Sequence, residues 1–433
     1  MGVARLPCRL SFSLQIQLHA FLDGRFGPLA QTIEIREYVF MVGIGKTALE
    51  VKGALLEGKL DATLSAPSIN STDLPVALPL IKPVEIKDLH VVARAPYPLK
   101  QGVPAMEMAD VSELGLKLHT GGSALDVKGT VLGGHAKVTI TSPSINTADL
   151  PVATGLKKPV ELKNLEVNAD LRGQDARLSN LSFHLFDGDA KAQGGMSLGS
   201  AAPPFNGHVL IRGLQLKPAL EALSPGSTLS MSGTAAADIA VAGRGFSMPD
   251  LTKALEGPGH VEIKDGKLEG VNLTGEAVAL LKVAGISLDQ AKVTAFSTLE
   301  TDFIIKQGIV NVQRLLADSH DFQATGKGTV GFDQSLNLAL NLNLTQSMSQ
   351  KIAASSSVAK VAMKDGRLRL PLLITGTVQN PAYGLDTKAF TRKILEQEQE
   401  KAKGAIEGLL EGTTKPSDLK KEGEDLLKGL LGR

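Results

Sequence analysis

Two glycine-bearing stretches have spacings that could do chemistry. Gly195-Met196-Ser197-Leu198-Gly199 fits G-x-S-x-G, the pattern in which a strand turns sharply into a helix and presents a nucleophilic serine to oxyanion donors. Here Ser200-Ala201-Ala202-Pro203-Pro204 follows, which cannot begin that helix, so a catalytic role for Ser197 is set aside. Gly43-Ile44-Gly45-Lys46-Thr47 resembles the end of a phosphate-binding loop, but Phe40 stands where the first glycine is required and no helical pattern follows. It reads as a turn between strands. The eight histidines, His19, His90, His119, His135, His184, His208, His260 and His320, include no two at metal-ligand spacing. The carboxylate pairs Asp187/Asp189 and Glu422/Glu424 read as a solvated turn and a solvated helix face. No polar set converges into an active site, so neither catalysis nor a cofactor nor a metal is expected.

Composition excludes more. Among 433 residues, 46 Lys and Arg balance 45 Asp and Glu, which leaves no electrostatic footprint for nucleic acid. With no Trp and 3 Tyr, stacking platforms for bases are missing as well. Cys8 is the single cysteine, so there is no internal disulfide framework and no cysteine-based metal cluster. No stretch reaches the roughly 20 apolar residues of a spanning helix. The N-terminus is read as strand-like, alternating over Ser11–Ala20, rather than as a signal peptide.

The elements that position residues are strands. From Leu336 to Leu344 every even position is leucine and the odd positions are Asn337, Ala339, Asn341 and Asn343. A period of two gives one apolar and one polar face. Phe322, Ala324, Val330 and Phe332 alternate likewise, with Asp333-Gln334 as the expected two-residue turn of a hairpin. A last strand over Arg367–Val378 brings Leu368, Leu370, Leu372 and Ile374 to one face, and Pro381 is expected to end the β region. Short helices are expected near 218–223, 249–256 and 274–284, and Lys264-Asp265-Gly266-Lys267 reads as a turn.

A repeat dominates the first half. PSINSTDLPVALPLIKPVEIKDLHVVA at 67–93 recurs as PSINTADLPVATGLKKPVELKNLEVNA at 143–169, offset by 76 without a gap and identical at 18 of 27 positions. Repeats of this kind bury their edges on one another. The copies are expected to occupy equivalent backbone positions, with Pro67/Pro143, Asp73/Asp149 and Pro83/Pro159 matched and the prolines at turns or strand edges.

The stretch Leu255–Asp386 resembles the C-terminal region of the AsmA family of bacterial envelope proteins. The likeness rests on Leu255–Leu268, on Phe296–Gly308, on Gly326-Lys327-Gly328-Thr329-Val330 with the alternating leucine strand, and on Ile374-Thr375-Gly376-Thr377-Val378-Gln379-Asn380-Pro381. The resemblance implies a periplasmic protein held at the inner membrane by one N-terminal helix. It also implies an apolar β-groove that moves phospholipid, and roles in outer-membrane biogenesis and protein assembly. No such helix is visible in this sequence.

The fold expected is mostly β: an elongated, repeated antiparallel sheet forming a curved apolar groove, with few short helices and a helical C-terminal tail. The divisions are 1–34 unassigned, 35–176 two repeats, 177–254 degenerate β units, 255–386 the AsmA-like region and 387–433 a Lys/Glu-rich tail. The groove is expected to be lined by Phe322, Val330, Phe332, Leu336, Leu338, Leu340, Leu342, Leu344, Leu368, Leu370, Leu372 and Ile374. The expected partners are phospholipid acyl chains, the inner and outer membranes and envelope proteins, at the periplasmic face of the inner membrane. The alternatives are a protein-binding β scaffold, in which the aliphatic faces bury each other as a sandwich, and an outer-membrane barrel. The barrel lacks its aromatic girdles here.

Overall fold

The computed structural model describes residues 35–44, 47–73, 80–96, 109–151, 156–223, 230–245, 247–280, 292–355, 359–360 and 363–392. The expectations for 1–34 and for the tail beyond 392 lie outside these residues. The fold is mostly β and antiparallel, the sheet is open, and the helices are few and short.

The chain forms two compact units. The first comprises Met1–Leu214, Ala222–Pro225 and Ala242–Phe246, and the second comprises Gln215–Glu221, Gly226–Val241 and Ser247–Arg433.

In the first unit β1 (Ile35–Ile44), β2 (Thr47–Leu56), β3 (Lys59–Asn70) and β4 (Glu85–Pro96) pair in sequence order. β5 (Asp110–Thr120), β6 (Ser123–Leu132), β7 (His135–Asn146) and β8 (Glu161–Arg172) continue the ladder. β9 (Asp175–Leu185), β10 (Gly188–Ser197) and β11 (Pro204–Gln215) complete it.

The 76-residue offset holds at atomic detail. Ser68, Ile69 and Asn70 pair with Lys87, Ile86 and Glu85, and Ser144, Ile145 and Asn146 pair with Lys163, Leu162 and Glu161. Both ladders skip a step at the proline: Pro67 faces Asp88 and Pro143 faces Asn164, each facing residue at φ 52°. Pro67 and Pro143 thus sit within strands, at an irregularity where no amide proton is needed, whereas Pro83 and Pro159 lie outside the strands, just before β4 and β8, as expected. Ser68 Oγ donates to Glu85 Oε1 at 2.7 Å and Ser144 Oγ to Glu161 Oε1 at 2.6 Å. Behind each strand the insert closes the same way: Val84 N donates to Ser71 Oγ and Val160 N to Thr147 Oγ1, both at 2.8 Å. The inserts also stack. Ile81 N donates to Pro151 O at 2.9 Å, and its counterpart Lys157 N donates to Ala222 O at 2.8 Å.

In the second unit β12 (Ser230–Arg244), β13 (Gly257–Glu269), β14 (Val293–Lys306), β15 (Ile309–Asp318), β16 (Phe322–Gly331) and β17 (Ser335–Leu344) again follow chain order. β17 then pairs with β19 (Arg367–Thr377), which also holds the two-residue β18 (Met363–Lys364) and the edge strand β20 (Pro381–Leu385). The described helices include α1 (Leu216–Leu223), α2 (Met248–Ala254), α3 (Leu273–Leu280) and α4 (Gln346–Ser355), and residues 387–392 are helical as well.

Three local expectations change. Asp265-Gly266 is no turn: β13 runs through it, and Asp265 at φ 51° marks an irregularity where the β12 register slips, since Asp and Gly serve bulges as readily as turns. Pro381 does not end the sheet but opens β20, an edge position where its missing N–H costs nothing. The β16–β17 loop has three residues, 332–334, with Gln334 at φ 72°, and Asp333 Oδ1 accepts from Ser335 N at 3.0 Å and from Ser335 Oγ at 2.7 Å. Phe332 therefore leaves the strand and is 42% exposed.

Candidate functional site: the apolar sheet face

Register converts alternation into rows. In the first unit one row runs Val51, Leu64, Val91, Leu114, Gly129, Val138, Ala169, Leu178 and Gly194. A neighbouring row runs Ile140, Val167, Leu181, Ala192 and Val209. The opposite face carries Lys128, Thr139, Asn168 and Asn180, with Thr139 Oγ1 donating to Asn168 Oδ1 at 2.9 Å. One face of the unit is thus aliphatic across its strands.

Every residue named in the two rows is only half-buried, whereas Val127, which extends the second row opposite Ile140, is buried at 9% exposure. Full burial in this unit is concentrated at the insert edge, where Ile69, Ile145, Val84 and Val160 are 4%, 1%, 7% and 6% exposed. Among the described residues no second layer covers the rows. A sheet whose aliphatic side belongs to an ordinary core is packed by another layer.

The second unit has the same rows and a different ending. Ala235, Ile263, Leu299, Ala317, Ala324, Leu342 and Leu370 form one. Ile239, Gly259, Phe303, Val312, Gly328, Leu338 and Ile374 form another. Here protein does cover part of the face. Leu273 and Ala277 of α3, Ile352 of α4, Ala359 and Phe390 pack on Phe322, Leu340, Leu342, Leu344, Leu368, Leu370 and Leu372. Asn272 caps α3 by accepting from Gly275 N at 2.8 Å. Ser349 of α4 accepts from Leu368 N at 2.9 Å, pinning the helix to β19. The twelve residues expected to line a groove therefore divide. Those seven lie in a sealed core, with Leu342, Leu344, Leu368 and Leu370 at 0% exposure. Val330, Leu336, Leu338 and Ile374 are half-buried and Phe332 is exposed. The strand pattern itself carried no sign of this division, because the cover comes from other elements, α3 well upstream and α4 in the connection between β17 and β19.

The polar face of this unit is ion-paired. Asp302 accepts from Arg314 Nε at 2.7 Å and meets His260 Nδ1 at 2.7 Å, and Arg314 also reaches Glu300 at 3.3 Å. The hydrogen bond from Arg314, and then that from His260, hold the Asp302 carboxyl below the usual carboxylate range. Burial, aided by the charge of Glu276, pushes the Tyr383 phenol up. A cavity of about 570 Å³ opens at the strand ends, with Asp265, Lys267, His320 and Asp321 beside Phe296, Phe322 and Met348. Its mixed charges have no converging catalytic arrangement, and no metal-type cluster of His, Cys, Asp or Glu occurs among the described residues. Ser197 ends β10, and the chain passes to β11 without a helix, so its hydroxyl lacks the elbow that would activate it. No described helix is long and apolar enough to cross a membrane.

Residues 156–315 match the model of the AsmA family. The match starts upstream of the resembling stretch and ends before the leucine strand. No curated protein and no solved structure matches the chain.

Proposed function

We propose that this chain, whose residues 156–315 match the model of the AsmA family and so suggest a cell-envelope protein, holds phospholipid acyl chains on its aliphatic sheet face, without catalysis. The protein works at the periplasmic face of the inner membrane, supporting outer-membrane biogenesis and the delivery of proteins to that membrane. One observation carries the reading: the two half-buried aliphatic rows of the first unit, over which no layer of the described residues packs. Contiguous apolar surface of this kind marks a binding face. Its chemistry is aliphatic and its opposite face polar, which suits acyl chains rather than aromatic ligands. In the second unit the part available to lipid is the half-buried end around Leu336 and Leu338, next to the sealed core against which Ile374 packs.

The sealed core favours a second reading for that unit alone, a structural β scaffold for envelope proteins. Mass spectrometry of an organic extract of the gently purified chain tests the lipid reading. Phospholipid bound in stoichiometric amount is expected, and Leu181→Glu should remove it while circular dichroism keeps its β signal. A lipid-free chain, or a folded Leu181→Glu variant still fully loaded, overturns the reading in favour of the scaffold.

A further inference from the structure

On the apolar face, aromatic rings lie on glycines. Phe303 is directly opposite Gly259, and a Cβ on Gly259 would come within 2.3 Å of the ring Cζ and 2.5 Å of Cε2. The arrangement recurs in the first unit. Tyr38 is opposite Gly53 and would meet a Cβ there at 2.4 Å, and Phe205 would meet one on Gly243 at 2.6 Å. Such a ring lies along the sheet in the space a side chain would fill, instead of standing away from it. Gly259 has no left-handed φ, so its backbone does not require glycine. Its missing side chain is explained by the ring.

We infer that Gly259 determines the clearance above the row of the second unit that holds Phe303 and Leu338 by keeping Phe303 folded down, so that the face admits slender unbranched acyl chains and turns away bulky ring-bearing lipids. This rests on the acyl-chain reading above. Phe303 is half-buried and lies in register with Gly259, Val312, Gly328 and Leu338. Any side chain at 259 must lift the ring off the sheet and into the space an acyl chain would occupy.

The test loads the full chain from vesicles of phosphatidylethanolamine and phosphatidylglycerol doped with a pyrene-acyl phospholipid, and counts both bound species by mass spectrometry. Gly259→Ala is expected to lower bound unlabelled phospholipid several-fold, and Gly259→Ala with Phe303→Leu to restore it. Phe303→Leu alone is expected to raise pyrene-lipid binding several-fold with little change in the unlabelled lipid. A folded Gly259→Ala variant with wild-type loading overturns the inference, as does a double variant that stays unloaded. Should Gly259→Ala fail to fold, Phe303→Leu decides: unchanged exclusion of the pyrene lipid overturns it. Wild-type protein that takes up neither species overturns the acyl-chain reading itself, whereas wild-type loading with insensitive variants removes only the role of Gly259.

Discussion

The Asp149 carboxylate accepts a hydrogen bond from the Ser123 hydroxyl at 2.8 Å. The same oxygen accepts from Gly122 N at 3.0 Å, while Thr120 Oγ1 donates to the Asp149 backbone oxygen at 2.5 Å. The aspartate of the repeated insert thus clamps the β5–β6 turn, joining strands that the insert does not adjoin in sequence. The acidic residue in the repeated phrase is structural, and its position follows from the donors that converge on it.

Replacing Asp149 by alanine leaves Ser123 Oγ and Gly122 N without their acceptor, while the bond from Thr120 to the backbone oxygen stays, at a cost of about 1–3 kcal/mol. Hydrogen exchange is expected to speed up in 120–132 while β9–β11 keep their protection. Unchanged exchange at the turn would remove Asp149 from this role.

Thr301 Oγ1 is the one buried side-chain polar atom without a hydrogen-bond partner among the described residues. It sits on the apolar face, opposite Val261 and Leu315. An orphaned hydroxyl carries a desolvation cost that a methyl group does not. Thr301→Val is therefore expected to leave the unit unchanged or stabilise it by up to about 1 kcal/mol. Denaturant titration of the variant checks this, and a clear destabilisation would mean that the hydroxyl is bonded in solution.

The polar face makes the second unit sensitive to acid. Asp302 has its carboxyl pKa depressed by Arg314 and His260, so it binds its proton more weakly folded than unfolded. Its contribution is present above the unfolded carboxylate pKa and is lost as pH falls through the depressed folded value. Asp302→Asn should therefore destabilise at neutral pH, and the gap to wild type should close as pH drops below the ordinary carboxylate range. The side chains are solvent-exposed, so added salt should narrow the gap as well. Denaturation curves across pH at two ionic strengths measure it, and a gap independent of pH would assign the loss to packing.

Much of this fold was legible because alternation is a local signal. Leu336–Leu344 reads as a strand with one apolar face from the sequence alone, and β17 is that strand. The register of the two repeats was legible too, since Ser68 and Ser144 stand at the same offset as Glu85 and Glu161. Pro381 and Asp265-Gly266 were harder, because proline and glycine serve edges and bulges as well as turns, and only the neighbouring strand decides which. What covers an apolar face is harder still. Leu338 and Leu342 are indistinguishable in the pattern, yet Leu342 has Ile352 and Phe390 in its core and Leu338 does not.

That difference yields the sharpest prediction. Leu342 is 0% exposed, so Leu342→Ala opens a cavity that its rigid surroundings cannot refill, costing about 2–5 kcal/mol. Leu338 lies two residues along the same strand and is only half-buried, so Leu338→Ala should cost clearly less. Charge separates them further. A lysine at 342 would be buried among Ala324, Leu370 and Ile352 without a partner, and the unit should unfold. A lysine at 338 can extend its amine to water along the open part of the face, so the unit should fold and lose bound phospholipid. Far-ultraviolet circular dichroism and lipid counts on the two lysine variants separate the outcomes. Only an unfolded Leu342→Lys beside a folded, lipid-poor Leu338→Lys agrees with a face sealed at one end and loaded at the other. Two unfolded variants would extend the closed core over Leu338, and a folded Leu338→Lys that keeps its lipid would place the acyl chains elsewhere.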